Sequence, residues 1–120
     1  MSLKLLIADD EYFIRQRIKK IIPWEKLNLT FAGEAENGQQ VIDHLEKEPV
    51  DLLLLDIKMP QMNGIETARY IEEHFPSVHM LILSGYNDFE YARTVIRYGV
   101  KEYLLKPVAA EELERALSEC

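Results

Sequence analysis

The sequence predicts a single α/β domain in which five parallel strands alternate with five helices. Short apolar runs alternate with segments of helical spacing, and the third and fourth runs are continuously apolar, as strands covered on both faces should be. This alternation favours a parallel sheet with helices on both faces. The predicted strands are Leu3–Ala8, Leu29–Ala32, Leu52–Leu55, Met80–Leu83 and Tyr103–Leu105.

The predicted helices show apolar residues at spacings of three and four. Asn37 with Gln40, and Asn87 with Glu90, are interpreted as capping boxes that open the second and fourth helices, whereas Asn63–Gly64 is interpreted as a turn. The apolar positions, helix by helix, are Ile14, Ile18, Ile21 and Ile22; Val41, Ile42 and Leu45; Ile65, Ala68, Ile71 and Phe75; Phe89, Ala92, Val95 and Ile96; and Leu113, Ala116 and Leu117.

Composition excludes several classes of protein. The 120 residues are 48% hydrophobic and 29% charged, which is typical of one globular domain and not of a disordered chain. A formal charge of −7 argues against non-specific nucleic-acid binding by this segment. No apolar run approaches the roughly 18 residues of a membrane helix. The single cysteine, Cys120, cannot form an internal disulfide, so we expect a cytoplasmic protein.

Residues able to bind phosphate or metal come directly after four of the five predicted strands. Asp9 and Asp10 follow the first strand, Asp56 the third, Ser84 the fourth and Lys106 the fifth. Ligands of open parallel sheets bind at the carboxyl ends of the strands, where the strand order reverses. We therefore expect these five side chains to form one site.

Three of the five residues predict a site for a divalent cation. Carboxylates of Asp9, Asp10 and Asp56 would repel one another, by about 4 kcal/mol for two charges about 4 Å apart at an effective dielectric near 20. Mg²⁺ prefers oxygen ligands and typically takes one or two carboxylates together with phosphate oxygens. The expected ligands of Mg²⁺ (or Mn²⁺) are Asp10, Asp56 and the backbone carbonyl of Lys58, with Asp9 holding a metal-bound water.

The same residues predict phosphoryl chemistry at Asp56. A carboxylate can attack phosphorus to form an acyl phosphate, and the three oxygens of the transferred group then need partners. Ser84 offers a hydroxyl, Gly85 an accessible backbone N–H and Lys106 a compact positive charge. We expect Asp56 to be the phosphoacceptor, assisted by Ser84 and Lys106.

Taken together, these motifs resemble the receiver domain of two-component response regulators. The resemblance extends from the first strand to the fifth helix, and several motifs occur in the family's order. They are Asp9-Asp10, Asp56, Met59-Pro60-Gln61-Met62-Asn63-Gly64, Ser84-Gly85 and Lys106-Pro107. The resemblance implies a flavodoxin-like receiver fold with strand order 2-1-3-4-5, and a cis peptide bond before Pro107.

The resemblance also implies a switching mechanism. Asp56 would accept a phosphoryl group from the phosphohistidine of a sensor histidine kinase, after which Ser84 shifts toward that group and Tyr103 turns inward. The face of the fourth helix, fifth strand and fifth helix (the α4-β5-α5 face) would then change shape and recruit either a partner or a second copy of the domain. The domain would assist its own phosphorylation and dephosphorylation without being a free-standing enzyme.

A narrower resemblance concerns the output that the domain controls. Residues 84–92, together with Trp24, resemble receivers joined to AraC-type DNA-binding domains. We therefore expect residues 1–120 to be a receiver domain excised from a transcriptional regulator, whose output domain is absent here and provides any contact with DNA.

Alternative interpretations remain open at this point. A haloacid dehalogenase-type phosphatase would carry Asp-x-Asp after its first strand, whereas here Asp56 follows the third and position 58 is Lys. A flavin-binding module would need a Ser-, Thr- and Gly-rich loop after the first strand. A pseudo-receiver would act without phosphorylation. The basic residues of the first helix form either a solvated face or part of a kinase-docking surface; they are Arg15, Arg17, Lys19 and Lys20.

Overall fold

Five parallel strands form one sheet in the order β2-β1-β3-β4-β5, which confirms the predicted order. The structure is a computed structural model and describes residues 2–85 and 93–120. The strands are β1 (Leu3–Ala8), β2 (Leu29–Ala35), β3 (Leu52–Asp56), β4 (His79–Ser84) and β5 (Val100–Leu105). All five residues of β3 are buried, as predicted for a central strand covered on both faces.

Four helices have both of their ends within the described residues, and a short 3₁₀ turn precedes β5. The helices are α1 (Tyr12–Ile21), α2 (Gly38–Lys47), α3 (Gly64–His74) and a last helix, Ala110–Ser118. The 3₁₀ turn Ile96–Tyr98 ends at Gly99, whose φ of 74° is left-handed. Most of the predicted fourth helix, including its capping pair, lies outside the described residues. Among those described, no helix is long and apolar enough to cross a membrane.

Two apolar clusters cover the two faces of the sheet. Successive strand residues point to opposite faces, so Leu6 and Ala8 pack toward α2 and α3, while Leu5 and Ile7 pack toward α1 and the last helix. The same alternation recurs in β3. The sheet is therefore covered on both faces, and its functional groups are confined to the strand ends.

The first and last strands of the sheet, β2 and β5, each extend three residues further than their apolar runs predict. β2 continues through Glu34 to Ala35, past an irregularity where the register opposite β1 jumps from Phe31 to Gly33. β5 begins at Val100 and includes the charged Lys101 and Glu102. Both are edge strands, where polar side chains can reach water or a helix, so apolar content alone underestimates their length.

Helix capping also differs in detail from the prediction. Asn37 caps α2 as predicted, accepting from the Gln40 N–H at 2.9 Å, but the Gln40 side chain accepts from Glu36 instead of closing the box. A full capping box lies at Asn63, where the sequence predicts only a turn. Its side chain accepts from the Glu66 N–H at 2.9 Å, and Glu66 accepts from the Asn63 N–H at 3.1 Å.

Candidate functional site

The candidate site lies at the carboxyl ends of β1 and β3. These two strands pair in parallel, with Ala8 opposite Leu55, and the strand order reverses beside them. Asp9 follows β1 directly, and Asp56 is the final residue of β3. The topology thus brings carboxylates 47 residues apart in sequence to one edge of the sheet.

Three carboxylates converge at this edge, as the sequence predicted. One oxygen from each of Asp9, Asp10 and Asp56 lies within 4.8 Å of the others. Asp9 and Asp56 are only 1% and 6% exposed, whereas Asp10 is exposed to solvent. Two of the three carboxyl groups are therefore poorly solvated, and their ionised forms need a nearby cation.

Lys106 supplies one such cation from the end of β5. Its ammonium Nζ donates to Asp9 Oδ2 at 2.7 Å and lies 3.0 Å from Asp56 Oδ1. The peptide bond between Lys106 and Pro107 is cis, as the family resemblance implied. One ammonium thus bridges the ends of β1 and β3.

The electrostatics of the cluster shift two ionisable groups. Burial, reinforced by the charge of Asp9, raises the pKa of Asp56 from 3.8 to about 7, and Lys106 only partly opposes this effect. Burial alone would lower the pKa of Lys106, but its hydrogen bond to Asp9 and the charge of Asp56 raise it overall. Lys106 is therefore a permanent cation, while Asp56 holds its proton unusually tightly in the absence of a metal.

The donor set fits a divalent cation. When all three carboxyl groups are ionised, the single ammonium of Lys106 leaves two negative charges without a partner, which a divalent cation would balance. Opposite oxygens around Mg²⁺ lie about 4.2 Å apart, twice its ligand distance, which is comparable to the 4.8 Å span of these carboxylate oxygens. The chemistry of the donors suits Mg²⁺ or Mn²⁺.

The structure places the other predicted site residues in β4, in β5 and in the loop after β3. Ser84 is the last residue of β4 and is 1% exposed; it lies one position beyond Leu83, the register partner of Asp56. Tyr103, in β5, is partly buried and packs against the apolar core on the side of the sheet that faces α2 and α3. Lys58 lies in the loop after β3 with an exposed side chain. The ligand role of its carbonyl and the movements of Ser84 and Tyr103 remain predictions.

Close backbone packing holds the loop that follows Asp56. The Gly64 N–H donates to the Ile57 carbonyl at 2.7 Å, and a Cβ on Gly64 would lie 2.3 Å from the Asp56 carbonyl oxygen. The Gly38 N–H donates to the Met62 carbonyl at 2.9 Å. The first residues of α2 and α3 therefore hydrogen-bond to this loop, and the close contact at Gly64 leaves no room for a side chain.

Arg15 is buried, so the prediction of a solvated or kinase-docking residue is wrong at this position. It is 6% exposed, and its guanidinium donates hydrogen bonds to Glu34 and to the Asp9 carbonyl. Arg17 and Lys20 are exposed, as predicted for a solvated face. The missed signal was the spacing of Arg15, three residues before Ile18 and seven before Ile22, which places it on the inward stripe of α1.

Comparison with known proteins agrees with this fold and site. Residues 5–118 match the response regulator receiver domain family. The chain is 38% identical over 116 residues to the uncharacterized transcriptional regulatory protein YesN of Bacillus subtilis, covering 97% of this chain and 32% of that protein. It is 37% identical over 111 residues to the transcriptional regulatory protein HptR of Staphylococcus aureus, covering 92% and 43%.

Solved structures show the same likeness. The REC domain of AraT, a response regulator from Geobacillus stearothermophilus, superposes with a TM-score of 0.94 at 38% identity, covering 99% of this chain and 92% of that one. The isolated REC domain of RcsB from Salmonella enterica serovar Typhimurium, solved with the phosphomimetic BeF3−, gives 0.87 at 28% identity, covering 98% and 87%.

The fold, the acidic site and these matches define a phosphorelay signalling domain. The chain belongs to the response regulator receiver family, whose members act in phosphorelay and in the regulation of transcription. It spans about a third of the length of YesN and less than half of HptR. These findings do not favour the alternative interpretations, which were a phosphatase, a flavin-binding module and a pseudo-receiver.

Proposed function

We propose that Asp56 is the phosphoacceptor of this receiver domain and that a sensor histidine kinase is its phosphoryl donor. The observation that carries the proposal is the placement of the Asp56 carboxylate. It is buried at the end of the central strand β3, 3.0 Å from the Lys106 ammonium and beside two further carboxylates. A nucleophile, a fixed cation and a cluster of metal-binding oxygens thus lie together.

The proposed transfer forms one bond and breaks one bond. A carboxylate oxygen of Asp56 attacks phosphorus, and the bond from phosphorus to the imidazole nitrogen of the donor's phosphohistidine breaks. The imidazole nitrogen takes up a proton from water, which leaves an aspartyl phosphate and a histidine. Lys106, which now pairs with Asp56 and Asp9, would then pair with a phosphoryl oxygen. Ser84 would donate its hydroxyl to another oxygen.

The transfer is proposed to require Mg²⁺, or Mn²⁺ in its place. Asp10, Asp56 and the Lys58 carbonyl would hold the ion directly, and Asp9 would hold a bound water. When bound, the ion supplies positive charge to the carboxylates and to a phosphoryl oxygen. Protein residues do the remaining work: they orient the nucleophile, hold the ammonium and shield the site from water.

The domain is proposed to act as a switch and not as a free-standing enzyme. Asp56 is modified once and regenerated by hydrolysis, so the domain assists its own phosphorylation and dephosphorylation without turning over an independent substrate. Ser84 at the end of β4 and Tyr103 in the adjacent β5 would transmit the change, because these two strands pair along their length.

The proposed output surface is the α4-β5-α5 face. In its described part, Ile96 and Leu105 are 66% and 50% exposed. Arg115 of the last helix pairs with Glu102 of β5 at 3.1 Å and with Glu119 at 3.2 Å. Exposed apolar groups together with charged pairs suit an interface between two copies of the chain.

We further propose that residues 1–120 form one receiver domain of a longer transcriptional regulator of the AraC-type subfamily. The similarity to YesN and HptR, and the fraction of those proteins that the chain spans, support this proposal. Contact with DNA would then belong to an output domain, consistent with the acidic charge of this chain. A cytoplasmic location is part of the same proposal, since the kinase requires ATP.

Acetyl phosphate and Mg²⁺ provide the direct test. Intact mass spectrometry should show one phosphoryl adduct on the unaltered domain and on Asp43→Asn, whose exposed carboxylate lies on α2 away from the site. Asp56→Asn should show none. An undiminished adduct on Asp56→Asn, or no adduct on the unaltered domain, would overturn the proposal.

A further inference from the structure

Every polar atom of Asp9 is engaged by a partner within the protein. Its backbone N–H donates to the Ala35 carbonyl at 3.0 Å, and its carboxylate accepts from the Glu11 N–H at 2.8 Å and from Lys106 at 2.7 Å. The carbonyl oxygen accepts from Arg15 Nη1 at 2.6 Å. This last contact comes from a side chain outside the acidic site.

Arg15 is itself held from the edge strand. Its Nε donates to Glu34 Oε1 at 2.8 Å, and Glu34 also accepts from Gln16 at 2.8 Å and from Lys19 at 3.5 Å. Burial alone would raise the pKa of Glu34, but the hydrogen bond from Arg15 and the charge of Lys19 lower it, so Glu34 is a carboxylate at neutral pH. Three side chains of α1 thus converge on one acceptor in β2.

We propose that Arg15, fixed by Glu34, is a positioning residue that holds the backbone at Asp9 and thereby aims the carboxylates of Asp9 and Asp10 at the metal. The inference rests on the proposed function, because it concerns the cation site that the function requires. A guanidinium suits this task, since its rigid fork can donate to Glu34 and to the Asp9 carbonyl at the same time. A lysine ammonium has three donors but not this rigid, planar fork, so it would fix the two acceptors less firmly.

Replacing Arg15 should change the affinity for Mg²⁺, and the direction of that change distinguishes a positioning role from a purely electrostatic one. Arg15 carries a positive charge close to a cation site, so removing that charge should strengthen Mg²⁺ binding if charge were its only influence. Loss of positioning should weaken binding instead, because groups that orient metal ligands typically contribute tenfold or more to affinity. The two explanations predict opposite results for the same variant.

The experiment compares Mg²⁺ affinity in Arg15→Met, Arg15→Lys and the unaltered domain. Isothermal titration is used at a temperature where circular dichroism shows every variant folded. We expect the dissociation constant to rise about tenfold in Arg15→Met and about threefold in Arg15→Lys. Arg69→Met is the matched control, because Arg69 pairs with Glu73 on the exposed side of α3 and should leave the dissociation constant unchanged.

The outcomes separate the positioning role from the proposed function. An unchanged or tighter dissociation constant in folded Arg15→Met, with normal acetyl phosphate labelling of the unaltered domain, overturns the positioning role alone. If Arg15→Met does not fold, an unchanged constant in Arg15→Lys overturns it. If the variants bind Mg²⁺ more weakly but the unaltered domain is not labelled by acetyl phosphate, the positioning role is supported and the phosphoacceptor role of Asp56 is rejected. Absence of Mg²⁺ binding in the unaltered domain overturns both.

Discussion

The ammonium Nζ of Lys106 lies 3.0 Å from Oδ1 of Asp56, although 50 residues separate the two in sequence. The same nitrogen lies 2.7 Å from Asp9 Oδ2. In the absence of a metal this single cation therefore contacts both buried carboxyl groups. The three residues end three different strands of the sheet or directly follow them, so the charge balance depends on the strand order.

Replacing Lys106 should destabilise the metal-free domain. Lys106→Met leaves Asp9 and Asp56 as neighbouring buried carboxylates, so we expect the free energy of unfolding at pH 8 in chelator to fall by about 1–3 kcal/mol. Added Mg²⁺ should recover part of this loss. Urea denaturation with and without Mg²⁺ measures both effects.

An exposed lysine provides the control for that comparison. Lys26 pairs with Glu114 at 2.6 Å on the surface, and Lys26→Met should change stability by less than about 1 kcal/mol. Equal stability of Lys106→Met and the unaltered domain in chelator would contradict the bridging role.

The raised pKa of Asp56 predicts a pH-dependent stability in the absence of metal. Its pKa is about 7 in the folded protein against an ordinary value of 3.8, so the folded state binds the proton more tightly than the unfolded chain. The contribution of this group to stability is therefore full below about pH 4 and is lost as the pH rises to about 7. The Asp56→Asn variant has no ionisable group at this position, so its stability should not fall in this pH range for this reason.

The Asp56→Asn variant should consequently be more stable than the unaltered domain at pH 8 in the presence of chelator. The expected difference is on the order of a few kcal/mol, because a tenfold change in proton affinity corresponds to about 1.4 kcal/mol. Urea denaturation from pH 4 to pH 8 tests this: the gap between the two proteins should widen as the pH rises. A gap independent of pH would show that Asp56 ionises normally.

Asp10 should affect metal binding far more than folding. It is the exposed member of the acidic trio, so Asp10→Asn should change the free energy of unfolding by less than about 0.5 kcal/mol. Loss of a direct carboxylate ligand should nevertheless weaken Mg²⁺ binding by tenfold or more. Isothermal titration measures the change, with Asp43→Asn as the control. Unchanged affinity in Asp10→Asn would assign the metal to other ligands.

Much of the fold was predictable because its central strands have a simple sequence pattern. Leu52–Leu55 and Met80–Leu83 are apolar throughout, and both lie in strands buried on two faces. The acidic trio was also predictable, because the residues after parallel strands must meet at one edge of the sheet. The strand order came only from the family resemblance, since the apolar runs do not specify which neighbours pair.

The failures occurred where polar residues are buried by pairing. Glu34 interrupts the apolar run of β2 and is partly buried because Arg15 neutralises it. Arg15 in turn looks like one of several surface cations when only charge is considered. The burial of each residue is explained by its pairing with the other. A contact between residues 19 positions apart cannot be inferred from the local sequence around either of them. The cap at Asn63 was missed for a simpler reason: Asn-Gly is also a common turn dipeptide.

The central claim is that Asp56 carries the phosphoryl group, and chemical trapping tests it at the level of the single residue. An acyl phosphate is reduced by borohydride, which converts the modified aspartate to homoserine. The domain is labelled with acetyl phosphate and Mg²⁺, reduced and digested, and its peptides are sequenced by mass spectrometry. We predict homoserine at position 56 and unmodified Asp9 and Asp10, with no homoserine when chelator replaces Mg²⁺. Homoserine at position 9 or 10, or its absence from position 56 under labelling conditions, would contradict the account.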